Sequence, residues 1–320
     1  MSTQNLIKGL HHVTATVSDA KEDYQFYTQL LGQRLVKKTV NFDNNQVYHF
    51  YYGNETGDPG TIMTTFPYKG HGVRIGVKGT GQVAVTAFSA PVAAIDFWKS
   101  RLSSHDVDYT ETVRFGDSIL HFDDPSGLEL EIIFTDNDGR TPWTTDEISI
   151  DFAIRGIHSV TLSIKEVGST FEFLTQEFGL TKVGEEDKYT RFVSVEGAVA
   201  GNYVDVRSDE DLDRGKNGIG TVHHVAWRVE NDEALLAMRK RLSEELGFKV
   251  TDVKDRNYFH SIYFRMPGGV LFEIATLPPG FLIDEAKEAL GEDLKLPEWE
   301  EVNRAQIESI LPEYRKVVKK

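Results

Sequence analysis

The chain contains no cysteine, which excludes disulfides, thiolate metal sites and a cysteine nucleophile. It is also short of positive charge. Lys and Arg number 35 against 50 Asp and Glu, giving a net charge of −15. Nucleic acid and anionic membrane surfaces both need clustered positive charge, so neither is an expected partner. No window approaches the roughly 20 apolar residues of a membrane span. The opening segment Met1–Gly9 has no apolar signal core. A cytoplasmic location is the resulting expectation; a homo-oligomer is compatible with the sequence and not specified by it. What is present is ordinary for a globular protein: 40% hydrophobic and 27% charged residues. A length of 320 residues allows two domains, or one built from several similar units.

One short pattern recurs four times. It reads His12-Val-Thr-Ala-Thr-Val17, Ala84-Val-Thr-Ala-Phe88, Ser159-Val-Thr-Leu-Ser-Ile164 and His224-Val-Ala-Trp-Arg-Val229. Each copy follows a glycine (Gly9, Gly81, Gly156, Gly220) and precedes a helix-like stretch. In the first unit Leu10–Val17 is rich in β-branched residues and reads as a strand. Ser18 and Asp19 can cap the next segment, where Tyr24, Phe26, Tyr27, Leu30 and Leu31 recur at helical spacing. Strand-like runs follow at 34–40, 46–52 and 61–66, separated by turn residues. Helices at 92–102, 170–177 and 233–246 mark the later units. The expectation is an α+β fold of four βαβββ modules paired into two similar domains, with a C-terminal helical extension. The polar stretch 135–154 is the expected linker. Residues 1–140 then hold modules one and two, 152–280 modules three and four, and 281–320 the extension. In that extension Trp299, Val302, Ile307 and Leu311 are expected to pack on the body or cover a cavity.

Each module offers two positions on one concave face, one in its first strand and one in its last. These are His12 and Thr64, Ala84 and Glu131, Ser159 and Asp205, and His224 and Glu273. Members of each pair lie about 50 residues apart, a constancy that supports the alignment. Modules one and two together offer one histidine and one glutamate. Modules three and four offer one histidine and two carboxylates. Modules one and four offer His12, His224 and Glu273. Two imidazoles and a carboxylate with free positions left over is the arrangement of non-haem Fe(II) oxygenases, so this is the preferred metal set. Glu131 aligns with Glu273 but lacks a histidine partner in its own module, and reads as structural or solvated. His11 and His223 each precede a proposed ligand. Neighbouring strand residues face opposite ways, so neither is expected to share the ion.

On these residues the chain resembles the vicinal-oxygen-chelate (glyoxalase/bleomycin-resistance/dioxygenase) superfamily, and within it the four-module hydroquinone ring-cleaving dioxygenases. Segments 9–14, 59–67, 222–226 and 255–273 carry the resemblance, which spans about residues 8–300. It implies an Fe(2+) cofactor on His12, His224 and Glu273, an aromatic substrate and O2, and a role in aromatic or quinone detoxification. It also implies supporting roles for His11, Thr14, His223, Arg256 and Tyr263. A hydroquinone presents one hydroxyl to the metal where a catechol presents two, so added polar groups must orient the ring. Arg256 would hold a phenolate, and His223 or Tyr263 would move a proton. Some relatives have a glycine and an acidic residue near 257 and 260, where this chain has Asn257 and His260. Three alternatives stand beside this reading: a catechol extradiol dioxygenase, a glyoxalase-type metalloenzyme, and a non-enzymatic binder of aromatic compounds on the same fold.

Overall fold

The computed structural model describes residues 6–315, so residues 1–5 of the opening segment and 316–320 of the extension lie outside it. Module one comprises β1 (Leu10–Val17), α1 (Ala20–Gln25), β2 (Arg34–Asn41), β3 (Asn44–Gly53) and β4 (Ile62–Pro67). Module two comprises β5 (Gln82–Ala90), α2 (Ile95–Ser104), β6 (Tyr109–Arg114), β7 (Asp117–Asp123) and β8 (Glu129–Phe134). Module three comprises β9 (Gly156–Ile164), α3 (Gly168–Glu172), β10 (Thr181–Glu186), β11 (Tyr189–Val193) and β12 (Tyr203–Ser208). Module four comprises β13 (Thr221–Val229), α4 (Asp232–Lys240), β14 (Lys254–Asp255), β15 (Phe259–Arg265) and β16 (Leu271–Pro279). Among the described residues no helix is long and apolar enough to cross a membrane.

Local chemistry accounts for these elements. Asp19 caps α1, its carboxylate accepting from the Lys21 and Glu22 amides at 2.8 and 3.1 Å. Asn231 caps α4 in the same way. The helices of modules one, three and four each widen into a single π turn at their C-terminal end. All four glycines that open the repeated pattern have positive φ. At Gly220 a side chain would also collide with the Ser126 carbonyl, 2.4 Å from an added Cβ. In β1, Leu10, Val13, Ala15 and Val17 enter the main apolar core, while His12, Thr14 and Thr16 take the other face. Val225, Trp227 and Val229 of β13 and Phe272 and Ile274 of β16 join that core, leaving His224 and Glu273 on the opposite side.

Two eight-stranded sheets result, ordered β14-β15-β16-β13-β1-β4-β3-β2 and β10-β11-β12-β9-β5-β8-β7-β6. Modules one and four meet through antiparallel β1 and β13, and modules two and three through β5 and β9. Each sheet therefore takes one module from residues 1–140 and one from 152–280. Modules one and two are not sheet partners, and neither are modules three and four.

Register corrects one alignment. The residue facing the last-strand position lies two places after the first-strand position in three modules: Thr14 with Thr64, Thr161 with Asp205, Ala226 with Glu273. In module two Glu131 pairs with Ala87. The counterpart of His12 there is Val85, not Ala84. An irregularity between Val83 and Val85 displaces the strand by one residue. Valine is no better a ligand than alanine, so the chemical conclusion is unchanged.

The extension consists of short 3₁₀ turns and one helix, α5 (Arg304–Ile310). Ile307 and Leu311 pack with Val40 and Leu296. Trp299 leans edge-on against Phe42, and Val302 faces solvent at 87% exposure, contrary to the expectation that it packs. Two 3₁₀ turns earlier, Asp284 and Glu285 pair with the fully buried Lys37 of β2 and tie the extension to the first sheet.

The buried face of α1 carries a carboxyl, Asp23, which accepts from the Tyr52 and Thr65 hydroxyls at 2.7 and 2.6 Å. Burial raises its pKa from 3.8 to about 8, against those hydrogen bonds. Asp124 nearby is raised to about 7, again chiefly by burial. Both carboxyls hold protons in the native state that the unfolded chain has lost, so stability falls as pH rises from about 4 to about 8. Each group accounts for a slope of about 1 kcal/mol per pH unit inside its window. Asp23→Asn is expected to flatten this decline, read as the thermal midpoint at pH 5 against pH 8. An unchanged slope would remove Asp23 from the account.

Candidate metal centre

His12, His224 and Glu273 stand on three consecutive strands, β1, β13 and β16. Pairing of Thr14 with His224, His12 with Ala226 and Ala226 with Glu273 brings the three side chains onto one face. The two Nε2 atoms are 3.3 Å apart, and Glu273 Oε2 lies 3.2 Å from His12 Nε2 and 2.7 Å from His224 Nε2. All three residues are buried, with ligand atoms within 4.8 Å of one another. Neither Glu273 oxygen has a well-formed hydrogen bond among the described residues. Burial acts to raise the Glu273 pKa, but the facing His12 and His224 outweigh it and hold the carboxyl well below its usual range. A buried carboxylate without hydrogen bonds and two converging ring nitrogens are costly together unless a cation joins them. The donor set therefore fits a divalent metal.

Each of the two histidines contacts the histidine that precedes it. His11 Nδ1 lies 2.9 Å from His12 Nδ1, and His223 Nδ1 lies 2.8 Å from His224 Nδ1. The Thr276 backbone carbonyl acts to raise the His11 pKa, the direction expected of an acceptor facing that ring, and with His11 as the donor there its Nδ1 accepts from His12. His12 then carries its proton on Nδ1 and aims an Nε2 lone pair at the centre. Burial is the largest cause lowering the His11 pKa to about 3, so this ring is neutral. The expectation that His11 and His223 face away from their neighbours does not hold. Register slips between Leu10 and His12, and between His224 and Val222, leave His11 and His223 as the extra residues of two bulges. Bulges turn side chains out of strict alternation, which is how each imidazole reaches the next.

The centre forms one end of a cavity of about 240 Å³. Tyr51, Phe66 and Phe259 supply aromatic walls; Asn41, His49, Tyr68, His223, Arg256 and Tyr263 supply polar ones. Arg256 Nε donates to Tyr263 Oη at 3.2 Å, and its guanidinium reaches Asp43 of module one at 3.3 Å rather than Asp252 or Asp255. Burial is the largest cause raising the Tyr263 pKa, so its phenol stays protonated. Thr14 accepts from the Thr64 hydroxyl at 2.8 Å. His260 turns outward to Asp232, and Asn257 adopts φ +65°, a conformation that glycine takes freely and asparagine tolerates. The sequence reading missed His49, Asp43 and the aromatic walls. Alternation along β3 places His49 and Tyr51 on one face, a usable signal; Asp43 sits in a turn and had none. A larger groove of about 550 Å³ beside β7 is open and lined by Asp106, Asp108, Asp123 and Asp124. It holds no group of three metal-type ligand atoms.

The second sheet shows what happens when the same positions lose their histidines. Glu131 accepts two hydrogen bonds from Arg114, at 2.6 and 3.2 Å, and Asp205 accepts two from Arg191, at 2.7 and 2.9 Å. All four residues are buried. Guanidinium groups neutralise the carboxylates where a metal would otherwise sit. Glu131 is structural, not solvated.

The sequence profile described as the Glyoxalase/Bleomycin resistance protein/Dioxygenase superfamily matches residues 9–132 and 156–274. The Bacillus subtilis (strain 168) protein named ring-cleaving dioxygenase MhqO is 46% identical over 305 residues, covering 95% of this chain and 96% of that one. The chlorohydroquinone/hydroquinone 1,2-dioxygenase of Sphingobium indicum is 38% identical, covering 92% and 93%. A crystal structure of a Bacillus subtilis protein superposes with TM-score 0.92 at 45% identity, covering 98% of this chain and all of that one.

Proposed function

The chain belongs to the glyoxalase/bleomycin resistance protein/dioxygenase superfamily, and on that premise we propose that it is a dioxygenase that opens the ring of hydroquinone-type compounds with O2, using Fe(II) held by His12, His224 and Glu273. One observation carries this reading: two imidazole lone pairs and an unsatisfied carboxylate converge at the end of an aromatic-walled cavity sized for a single ring. The names of the relatives agree with it. When bound, iron supplies the redox path between a phenol and triplet oxygen that closed-shell side chains lack.

The remaining steps fall to the chain's own residues. Tyr51, Phe66 and Phe259 exclude water around the ring. Arg256, permanently charged, stabilises a phenolate oxygen. Tyr263, protonated and fed by hydrogen bonds from Arg256 and Ser261, donates its own proton into the cavity. His223 lines the cavity while its Nδ1 contacts His224, a position suited to proton transfer. His11 and Thr14 keep the ligand rings and floor in register.

The test is oxygen uptake by protein loaded anaerobically with Fe(II), comparing methylhydroquinone with catechol. Stoichiometric uptake with methylhydroquinone and a new ring-opened chromophore is expected. No uptake from either substrate, with iron bound, would overturn the reading and favour an isomerase or a binder.

A further inference from the structure

One wall of the cavity carries an imidazole that the metal centre does not use. His49 lies on β3, held between the rings of Tyr51 and Phe66 at centroid distances of 4.0 and 4.3 Å. Its Nε2 is 2.8 Å from Thr64 Oγ1. With the Thr64 hydroxyl donating to Thr14, the same oxygen accepts from His49. His49 therefore carries its proton on Nε2. Burial, followed by the nearby His12, His224 and Arg256, lowers its pKa well below the usual value, and the ring is neutral. Its Nδ1 is then a bare acceptor with no protein partner among the described residues, on a ring that lines the cavity.

The position of that acceptor is informative. In the sheet order only β4 separates β3 from β1, so His49 and His12 lie two strand spacings apart, about 10 Å along the sheet. Curling of the sheet into a cup shortens this span. It accommodates one aromatic ring that meets the metal through one hydroxyl and extends toward β3 with the hydroxyl on its opposite carbon. The facing wall offers donors, Arg256 and Tyr263. A donor wall and an acceptor wall define opposite ends for a substrate with two distinguishable oxygens.

Resting on the hydroquinone reading above, we infer that His49 is the specificity-determining residue for the second hydroxyl, its Nδ1 accepting the proton of the hydroxyl remote from the metal. A catechol, with adjacent hydroxyls, has none left to reach His49. A monomethyl ether of hydroquinone has the remote oxygen without the proton, and leaves the acceptor unpaired.

The experiment is calorimetric titration of the metal-loaded protein under argon with hydroquinone, 4-methoxyphenol and catechol. Wild-type protein is expected to bind hydroquinone about tenfold more tightly than 4-methoxyphenol, the cost of one unpaired buried polar group. His49→Phe, which keeps the ring volume, is expected to erase that preference and to lower the hydroquinone-to-catechol affinity ratio about tenfold. His49→Asn, whose Oδ1 restores an acceptor near the Nδ1 position, is expected to recover part of both. Equal wild-type affinities for hydroquinone and its methyl ether overturn the inference without any variant. So does a folded His49→Phe protein that keeps the preference. Oxygen uptake separates this inference from the reading beneath it. No uptake with any of the three phenols overturns both, whereas uptake with an unchanged preference overturns the role of His49 alone.

Discussion

His224→Ala is expected to abolish metal retention and oxygen uptake together. The variant removes one of only two nitrogen donors and leaves Glu273 buried opposite a single imidazole. Loss of groups that merely orient a ligand costs about 10- to 100-fold in metal affinity, so loss of a ligand exceeds that range. Metal content after gel filtration of iron-loaded protein measures this directly. Stability supplies a second readout. A metal present at 100 to 1,000 times its dissociation constant stabilises the native state by about 3–4 kcal/mol. Chelation should therefore lower the thermal midpoint of the wild type and leave that of His224→Ala where it was. His223→Ala, one residue away, should bind metal at most about 10- to 100-fold more weakly, still load at saturating Fe(II), and lose turnover, because its ring orients and exchanges protons without ligating. A metal-binding His224→Ala protein would show that the ligand set is wrong.

The parts of this site that were legible in the sequence are those that repetition exposes. His12 and His224 stand out because the other copies of that position carry Ser159 and, in register, Val85. Glu273 is singled out from Glu131 and Asp205 because its own module keeps the histidine. The strand–helix–three-strand order was legible for the same reason, and Asp19 marked the first helix by its chemistry. What the sequence could not convey depends on register. One-residue bulges have no compositional signature, yet they shift module two by one place and turn His11 and His223 toward their neighbours. Sheet pairing of modules one and four across the chain could be inferred only from the chemistry that such a pairing would assemble. The extension was misjudged at Val302, where apolar spacing in a short 3₁₀ segment points to solvent. Asp43 was invisible, since its contact with Arg256 joins residues more than two hundred positions apart.

Glu131→Ala tests the distinction between two glutamates that occupy the same position in related modules. Removing Glu273 would destroy the metal centre; removing Glu131 is expected to leave metal affinity unchanged and to cost stability instead. Arg114 is buried, and Glu131 is its only bidentate partner. The remaining carboxylate nearby, Asp205, lies 3.6 Å from Arg114 Nε and is already engaged by Arg191. Deleting one member of a buried ion pair strands the other and costs about 3–5 kcal/mol. Each kcal/mol lowers the thermal midpoint by about 1.5 °C in a chain of 320 residues. Replacing both partners, as Arg114→Met with Glu131→Leu, should recover most of that loss, because an apolar pair of similar volume has no charge to desolvate. The double-mutant cycle isolates the pairwise coupling, and metal content is measured alongside. If Glu131→Ala loses metal at unchanged stability, the second sheet contributes to the centre and the two cups are not chemically independent. If instead stability falls, the double variant recovers it and metal content holds, then in the second cup arginine has taken the place that a cation occupies in the first.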